Sequence, residues 1–461
     1  MKKFNMMIFI IAISLFATSC TSNRPLKPDM TKVQIGGDGN TQQYGENDIE
    51  PDVNDISIKE DNKMTSKALK NNNVDYIIGE KNKTDASNSS KTLNTANLTV
   101  TKWYKTVVPS NIGFDILYRK YLMPYDYLLI TKDKVKIFNK PSTKSNFLGE
   151  ANTFEKVKLV CDVKGEYIDA TKTNKWYGIT WYDKDGKIVN GFIPDGSGEV
   201  RSYRFNDMIT SIVTLENALK NNNYAYIKVN PNYKDINGTP PLLNGKGYDK
   251  YGKQAYQSAP AYPNLNYKAN FRYLPDGLIV FINGEVKGYF KIKSLDYEGE
   301  YWVPKEYISF DNNLDNFVKA IVVDTTNQNE AVFEKRGEKW TMISYNLATT
   351  GAKTKNKFET PIGKFKVLEK KDRFYYANDT KKELAGYAPY AIRFAQGAYI
   401  HGIPVEFVNE NGKLVDPGIK EYLFTIGTMP RSHKCVRNYS SHAKFLFNWA
   451  DPNDTAVITI K

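Results

Sequence analysis

The chain of 461 residues contains only three cysteines and three histidines. Three cysteines are too few for a disulfide framework, and none of them forms a CxxC pair, so nothing points to a zinc site of paired thiolates. No stretch approaches the ~18 consecutive apolar residues that a membrane-spanning helix needs. Nucleic-acid-binding motifs and Lys/Arg blocks of recognition length are also missing. Nucleic acid is therefore not an expected partner, despite a formal net charge of +13. The basic surplus reads as a solvated surface suited to polyanions such as an anionic membrane or a cell wall. With 30 Gly and 20 Pro the chain is neither collagen-like nor a Pro-rich fibre.

What is present supports folded modules. Hydrophobic residues make up 41% and charged residues 25%, enough for a sizeable core, and the length suggests about three domains. Aromatic residues reach 13%, with 32 Tyr and 23 Phe, as suits half-buried strands. The expected fold class is mostly β and multi-domain.

Lys2 and Lys3 precede the apolar run Met6–Phe16, about half the length of a membrane span, so residues 1–19 read as a signal peptide. The following Ala17-Thr18-Ser19-Cys20 resembles a bacterial lipobox. That resemblance implies cleavage before Cys20 and lipid on its thiol, giving a membrane-anchored lipoprotein of the cell envelope, facing the periplasm or cell wall. From Cys20 to about residue 100 the composition is polar and cannot bury enough apolar surface to offset chain entropy, so the segment reads as a disordered tether.

Short alternating runs follow. Val135-Lys136-Ile137-Phe138, Val157–Val163, Trp176-Tyr177-Gly178-Ile179 and Gly191-Phe192-Ile193-Pro194 resemble the strands of a bacterial SH3-like module, placed at 101–205. Cys161 falls inside an apolar strand and reads as an inert buried thiol. A connecting segment, 206–252, opens with a helical patch from Met208 to Leu219. A second SH3-like unit is expected at 253–311, from Gly277–Phe281 and Gly299–Ile308. Either unit could act as a spacer or bind wall peptide or glycan.

Residues 316–461 carry the chemistry. All three histidines, His401, His433 and His442, lie there, with Cys435 among them. A thiolate is the reactive form of cysteine, and a neighbouring imidazole can generate and stabilise it. Such a pair suits acyl transfer through a thioester, with backbone N–H groups holding the oxyanion. A metal site built from the three histidines and Cys435 is the rival reading; no acidic ligands are obviously placed for it, so neither metal nor cofactor is expected. A helix is expected at Ser440–Ala450 with Ser440 or Ser441 as N-cap, and His442 on it reads as surface or packing.

Tyr399-Ile400-His401-Gly402 followed by Ser432-His433-Lys434-Cys435-Val436-Arg437-Asn438 resembles the signature of the L,D-transpeptidases, the YkuD-type domains that cross-link peptidoglycan. Thr360-Pro361-Ile362-Gly363 resembles that family's Thr-Pro-x-Gly turn, and Val323-Asp324 with Gln328 its opening strand. The architecture implied is two small SH3-like β-barrels followed by a β-rich L,D-transpeptidase catalytic domain with short helices. By resemblance, Cys435 is the nucleophile, His401 the base, and the Gly402 carbonyl orients the imidazole. Ser432 and His433 shape the substrate site, and Arg437 binds a stem-peptide carboxylate. The implied reaction joins tetrapeptide stems by 3→3 cross-links; water as acceptor would make it an L,D-carboxypeptidase. A papain-like peptidase fits less well, because there the nucleophile precedes its histidine. A non-catalytic wall-binding lipoprotein is the third reading.

The chain departs from the family pattern twice. Lys434 stands where the family has Gly, at a backbone angle expected to strain a side chain. The stretch between His401 and Cys435 is also longer than usual. It contains Asn409-Glu410-Asn411-Gly412-Lys413, read as a hairpin turn forming a lid or wall of the cleft.

Overall fold

A computed structural model describes residues 93–461 except 184, 230–240, 242–247, 267–269, 312–313, 315, 355–356 and 379–382. It also describes the short strands Val33–Gln34 and Glu50–Asp52. The apolar run Met6–Phe16 and the candidate lipidation site Cys20 lie outside the described residues. No described helix is long and apolar enough to cross a membrane.

Alternating apolar residues make the described part of the chain mostly β, at 48% strand and 9% helix. In the first unit the strand order runs Gly198–Ser202, Asp126–Ile130, Lys156–Ile168, Thr173–Tyr182, Ile188–Pro194, Val135–Phe138, Phe147–Ala151. Thr99–Trp103 pairs beside Lys156–Ile168. Every pairing is antiparallel. A second, five-stranded sheet is ordered Glu300–Pro304, Tyr289–Lys293, Ile279–Val286, Tyr224–Ile227, Ile308–Ser309. It takes the strand Tyr224–Ile227 from the segment read as connecting. Among the described residues neither unit closes into a barrel, in contrast to the expected SH3-like barrels.

The edge strand Gly198–Ser202 is instead met by neighbouring chain. Arg201 Nη1 donates to the Thr326 carbonyl at 2.6 Å, and Ser202 N donates to Asn327 Oδ1 at 3.1 Å. Cys161 is fully buried, with burial and the adjacent Asp162 pushing its thiol up to about 11.

The C-terminal part holds two six-stranded sheets. One runs Gly363–Lys366, Thr455–Ile460, Lys319–Asp324, Asn329–Arg336, Lys339–Leu347, Gly113–Phe114. The other runs Glu50–Asp52, Glu369–Asn378, Leu384–Ala395, Ala398–His401, Val436–Arg437, with Val405–Glu406 beside Leu384–Ala395. Val408–Glu410 and Lys413–Val415 pair as a hairpin, to which Val33–Gln34 adds in parallel. Its turn residues Asn411 and Gly412 have φ of 52° and 83°, the left-handed pair that a two-residue hairpin turn requires.

Two α-helices among the described residues complete the fold. Phe205–Asn221 buries Phe205, Met208, Ile209, Ile212 and Leu215, spaced to form one face. Ser440–Trp449 has Tyr439 at its N-cap, without a side-chain cap. The two candidate cap serines are used elsewhere: the Ser440 hydroxyl donates to the Lys420 carbonyl at 2.5 Å, and Ser441 bonds Glu421.

The units share cores. One apolar cluster joins Ala225, Leu278, Val280 and Val303 of the second sheet to Ile321, Phe365, Phe394, Ile400 and Val436. At this junction Gly277 has φ of 79°, and a Cβ there would stand 2.0 Å from the Phe394 carbonyl oxygen. Only glycine fits such a turn against a backbone. Beside it, buried Asp276 accepts from Val229 N at 2.9 Å and pairs with buried Arg393. Gly277→Ala is expected to destabilise the protein by about 2–4 kcal/mol, through backbone displacement and left-handed strain. Urea denaturation checks this; a loss below ~0.5 kcal/mol would mean that the junction yields freely.

Candidate active site

The site begins at a turn. Strand Leu384–Ala395 reverses through Gln396 and Gly397, both at positive φ (34° and 87°), and returns as Ala398–His401. That strand pairs in parallel with Val436–Arg437, Ile400 opposite Val436 and His401 opposite Arg437. The ladder continues as Asn438 N donates to the His401 carbonyl at 2.8 Å.

Alternation along a strand sends successive side chains to opposite faces. Ile400 and Val436 enter the shared apolar core, so His401 and Arg437 lie on the other face. Cys435 joins that side's apolar cluster with Phe374, Ala388, Ala391 and Tyr399, where Phe374 and Tyr399 stack at 4.2 Å. Pairing and alternation thus put His401, Cys435 and Arg437 on one face of the sheet, although a long stretch of chain separates the first from the others.

The His401 imidazole is oriented. Its Nδ1 lies 2.5 Å from the Gly402 carbonyl oxygen. A carbonyl only accepts, so Nδ1 carries the proton and donates. In the neutral ring Nε2 is then the basic nitrogen. The Gly402 peptide is itself fixed, since Gly402 N donates to the Pro389 carbonyl at 2.8 Å and Ile403 N to Ser440 Oγ at 3.1 Å. A Cβ on Gly402 would stand 2.9 Å from both Pro389 Cγ and Ser440 Oγ.

Cys435 retains 8% of its surface, and its thiol donates weakly to the Gly397 carbonyl at 3.8 Å. The Ser432 hydroxyl donates to the Cys435 carbonyl at 2.5 Å, so Ser432 holds the loop closed. His433 is half-buried with its ring edge-on to Phe358, centroids 5.3 Å apart. Arg437 is buried, and its backbone pairs with Thr349 in both directions at 2.8 and 2.9 Å.

Lys434 has φ of 71°, the left-handed conformation expected to strain a side chain there. Its backbone is clamped. Lys434 N donates to the Phe358 carbonyl at 2.9 Å, so this N–H, a candidate oxyanion donor, is engaged within the loop. Thr360 Oγ1 donates to the Lys434 carbonyl at 2.7 Å and accepts from Gly351 N at 2.8 Å. The side chain runs inward, with Nζ donating to the Gln396 carbonyl at 3.2 Å, near the Tyr256 and Phe358 rings.

Other parts of the motif serve as scaffolding. Gln328 exchanges hydrogen bonds with Thr350 at 2.7 and 2.9 Å. His442 is fully buried; its Nε2 lies 2.8 Å from Ser344 Oγ, and its Nδ1 3.0 Å from Asn438 Oδ1 and 3.2 Å from Glu330 Oε1. It supports the residue that follows Arg437 and stands apart from the thiol cluster. Among the described residues no group of three or more His, Cys, Asp and Glu side chains could hold a metal ion. The Gln396-Gly397 turn, which touches both the nucleophile candidate and Lys434, carries no motif by which the sequence could have flagged it.

Residues 318–458 match the family model described as the L,D-transpeptidase catalytic domain, YkuD. No curated protein matches the chain. Among solved structures, an L,D-transpeptidase from Mycobacterium smegmatis is 18% identical over 39% of this chain and 80% of its own, with a TM-score of 0.25. L,D-transpeptidase 3 from Mycobacterium tuberculosis is 16% identical over 39% of this chain and 79% of its own, also at 0.25. A fused Zn-dependent amidase, peptidase and peptidoglycan-binding-domain protein from Clostridium acetobutylicum is 19% identical over 32% of this chain and 54% of its own, at 0.22. The match to this last protein spans about half of its length. Likeness at these levels carries no argument about activity.

The strain at Lys434 is measurable by comparing two truncations. Both Lys434→Ala and Lys434→Gly lose the buried side chain, but only alanine keeps a Cβ at positive φ. The alanine variant is expected to be the less stable by about 1 kcal/mol in urea denaturation. Equal stabilities would contradict a left-handed residue at this position.

Proposed function

We propose that the protein is a cell-wall enzyme of the L,D-transpeptidase type, with Cys435 as nucleophile and His401 as base. The observation that carries this reading is the parallel pairing of His401 with Arg437 beside Cys435, within residues that match the family model. The orientation of Nδ1 on the Gly402 carbonyl supports it, because it leaves Nε2 as the nitrogen that takes a proton.

In the proposed cycle the Cys435 thiol gives its proton to His401 Nε2. The thiolate then attacks the carbonyl of the third residue, a diamino acid, in a tetrapeptide stem. The C–N bond to the terminal D-Ala breaks, and D-Ala leaves as an amine with the proton from the imidazolium. A thioester remains on Cys435. The side-chain amine of a second stem attacks it, loses a proton to His401 and restores the thiol, giving a 3→3 cross-link. Water in place of the amine releases a tripeptide, which is L,D-carboxypeptidase activity. Arg437 is the proposed partner of a stem carboxylate, with Ser432 and His433 shaping the loop that presents the thiol.

The protein is further proposed to be a lipoprotein anchored through Cys20, with its polar leading stretch as a tether to the wall. Because Val33–Gln34 and Glu50–Asp52 pair with strands of the catalytic part, the free tether would be the stretch between Cys20 and Val33, with a root-mean-square reach of roughly 20 Å. The strand-rich units before the catalytic part would then engage wall polymer.

The test is incubation with disaccharide tetrapeptides, followed by mass spectrometry. The wild type is expected to release D-Ala and to carry an acyl adduct on Cys435. Cys435→Ala should release none, and His401→Gln should be slower by about 10²–10⁴-fold. A folded wild type without adduct or release, or a Cys435→Ala variant that still releases D-Ala, overturns the proposal.

A further inference from the structure

The second unit reaches the nucleophile loop directly. The Gln396 amide donates to Ser258 Oγ and lies 3.5 Å from the Gln254 carbonyl. Its own carbonyl accepts from Lys434 Nζ, and the next carbonyl, that of Gly397, accepts from the Cys435 thiol. Gln396 also lines an open cleft of about 120 Å³, walled on one side by Tyr251, Lys253 and Tyr297 of the second unit. On the other side stand Lys353, Lys357 and Glu359 from the loop leading to Thr360.

The lining is strongly basic, with three lysines against one glutamate. Behind it, the Arg272 guanidinium sits over the Tyr251 and Tyr297 rings at 4.3 and 4.7 Å. The Tyr297 hydroxyl is buried with no hydrogen-bond partner among the described residues, an expensive condition for a polar group that a ligand would relieve. Burial pushes the Lys253 ammonium below the usual lysine range, and Lys353 and Arg272 push the same way, against the pull of Glu359 and Asp249. An arriving anion would offset that cost.

We propose that this cleft is a binding site for the carboxylates of the peptidoglycan stem peptide, built jointly by the second unit and the catalytic part. The inference rests on the function proposed above and adds to it a subsite outside the resembled motif. The mixed lining favours a peptide over a dense polyanion. Lysines meet carboxylates, Glu359 meets the free amine of a diamino acid, and the tyrosine rings cover apolar stem. The shared turn Gln396-Gly397 puts a peptide held in the cleft within one residue of the nucleophile's own contact.

The test titrates the tetrapeptide stem into full-length Cys435→Ala protein, which cannot turn it over, and compares added Lys253→Gln and, separately, Lys353→Gln. Each charge removal is expected to weaken binding about tenfold. Amidating the stem carboxylates should weaken binding to the unchanged lysines by a similar factor. Lys353 is exposed, so its variant should fold even if the Lys253 variant does not. In proteins that keep Cys435, both lysine variants should leave its alkylation by iodoacetamide unchanged. Equal affinity in all lysine variants, or equal affinity for acid and amidated stems, overturns the cleft assignment. D-Ala release by wild type would then leave the catalytic reading standing. Tighter binding of polyphosphate than of stem, lost in Lys253→Gln, also overturns it, by making the cleft a polyanion site. A wild type that neither binds nor cleaves the stem overturns the catalytic reading, and this proposal with it.

Discussion

The candidate chemistry depends on one piece of backbone pairing. Two short strands, Ala398–His401 and Val436–Arg437, lie parallel, and hydrogen bonds between them set the register that puts His401 beside Arg437 and one step from Cys435. A slip of one residue would turn every side chain to the opposite face. The buried pair Ile400 and Val436 makes such a slip costly, since the strand that moved would exchange its core side chain for an imidazole or a guanidinium. The apolar core therefore fixes the polar site, and the Gly402 carbonyl then fixes the imidazole.

The nucleophile loop is held by groups that do no chemistry of their own. Thr360 bridges Gly351 and Lys434, Ser432 ties down the Cys435 carbonyl, and the Lys434 backbone is bonded at both ends. These bonds offset the left-handed cost at Lys434, about 1–2 kcal/mol for a residue with a side chain. A glycine would avoid that cost but would give up the inward ammonium that meets the Gln396 carbonyl. Through that contact the loop leans on the second unit, whose apolar residues already share a core with the catalytic sheets. The units before the catalytic part are thus built into it, through shared cores and through Asp276 with Arg393.

Much of the site was legible because its signals are local. His401-Gly402 and Ser432–Asn438 carry residue types whose chemistry is specific, and the glycine-to-lysine departure announced the φ later found at Lys434. Asn411-Gly412 announced the hairpin in the same way. Cys161 was legible as an apolar strand residue. What escaped was non-local. The Gln396-Gly397 turn has no motif, and its contacts with Gln254 and Ser258 join residues far apart in sequence. Strand Tyr224–Ile227 is only four residues long and follows the polar run Lys220–Asn223, so its alternation does not stand out from connecting chain. Among the described residues the expected barrels do not close, because alternation specifies which face is buried and not which edge meets which. For His442 the packing reading holds over the surface one: it lies buried in a network with Ser344, Asn438 and Glu330, whose members no spacing rule reveals.

The claim that most needs testing is that His401 governs the ionisation of Cys435. The direct measurement is the rate of Cys435 alkylation by iodoacetamide as a function of pH, in wild type and in His401→Gln. The account predicts that the variant's profile moves to higher pH, because the thiolate loses the imidazole that generates and stabilises it. Superimposable profiles in two folded proteins would contradict it, and would leave Cys435 as a thiol that merely lies near a histidine.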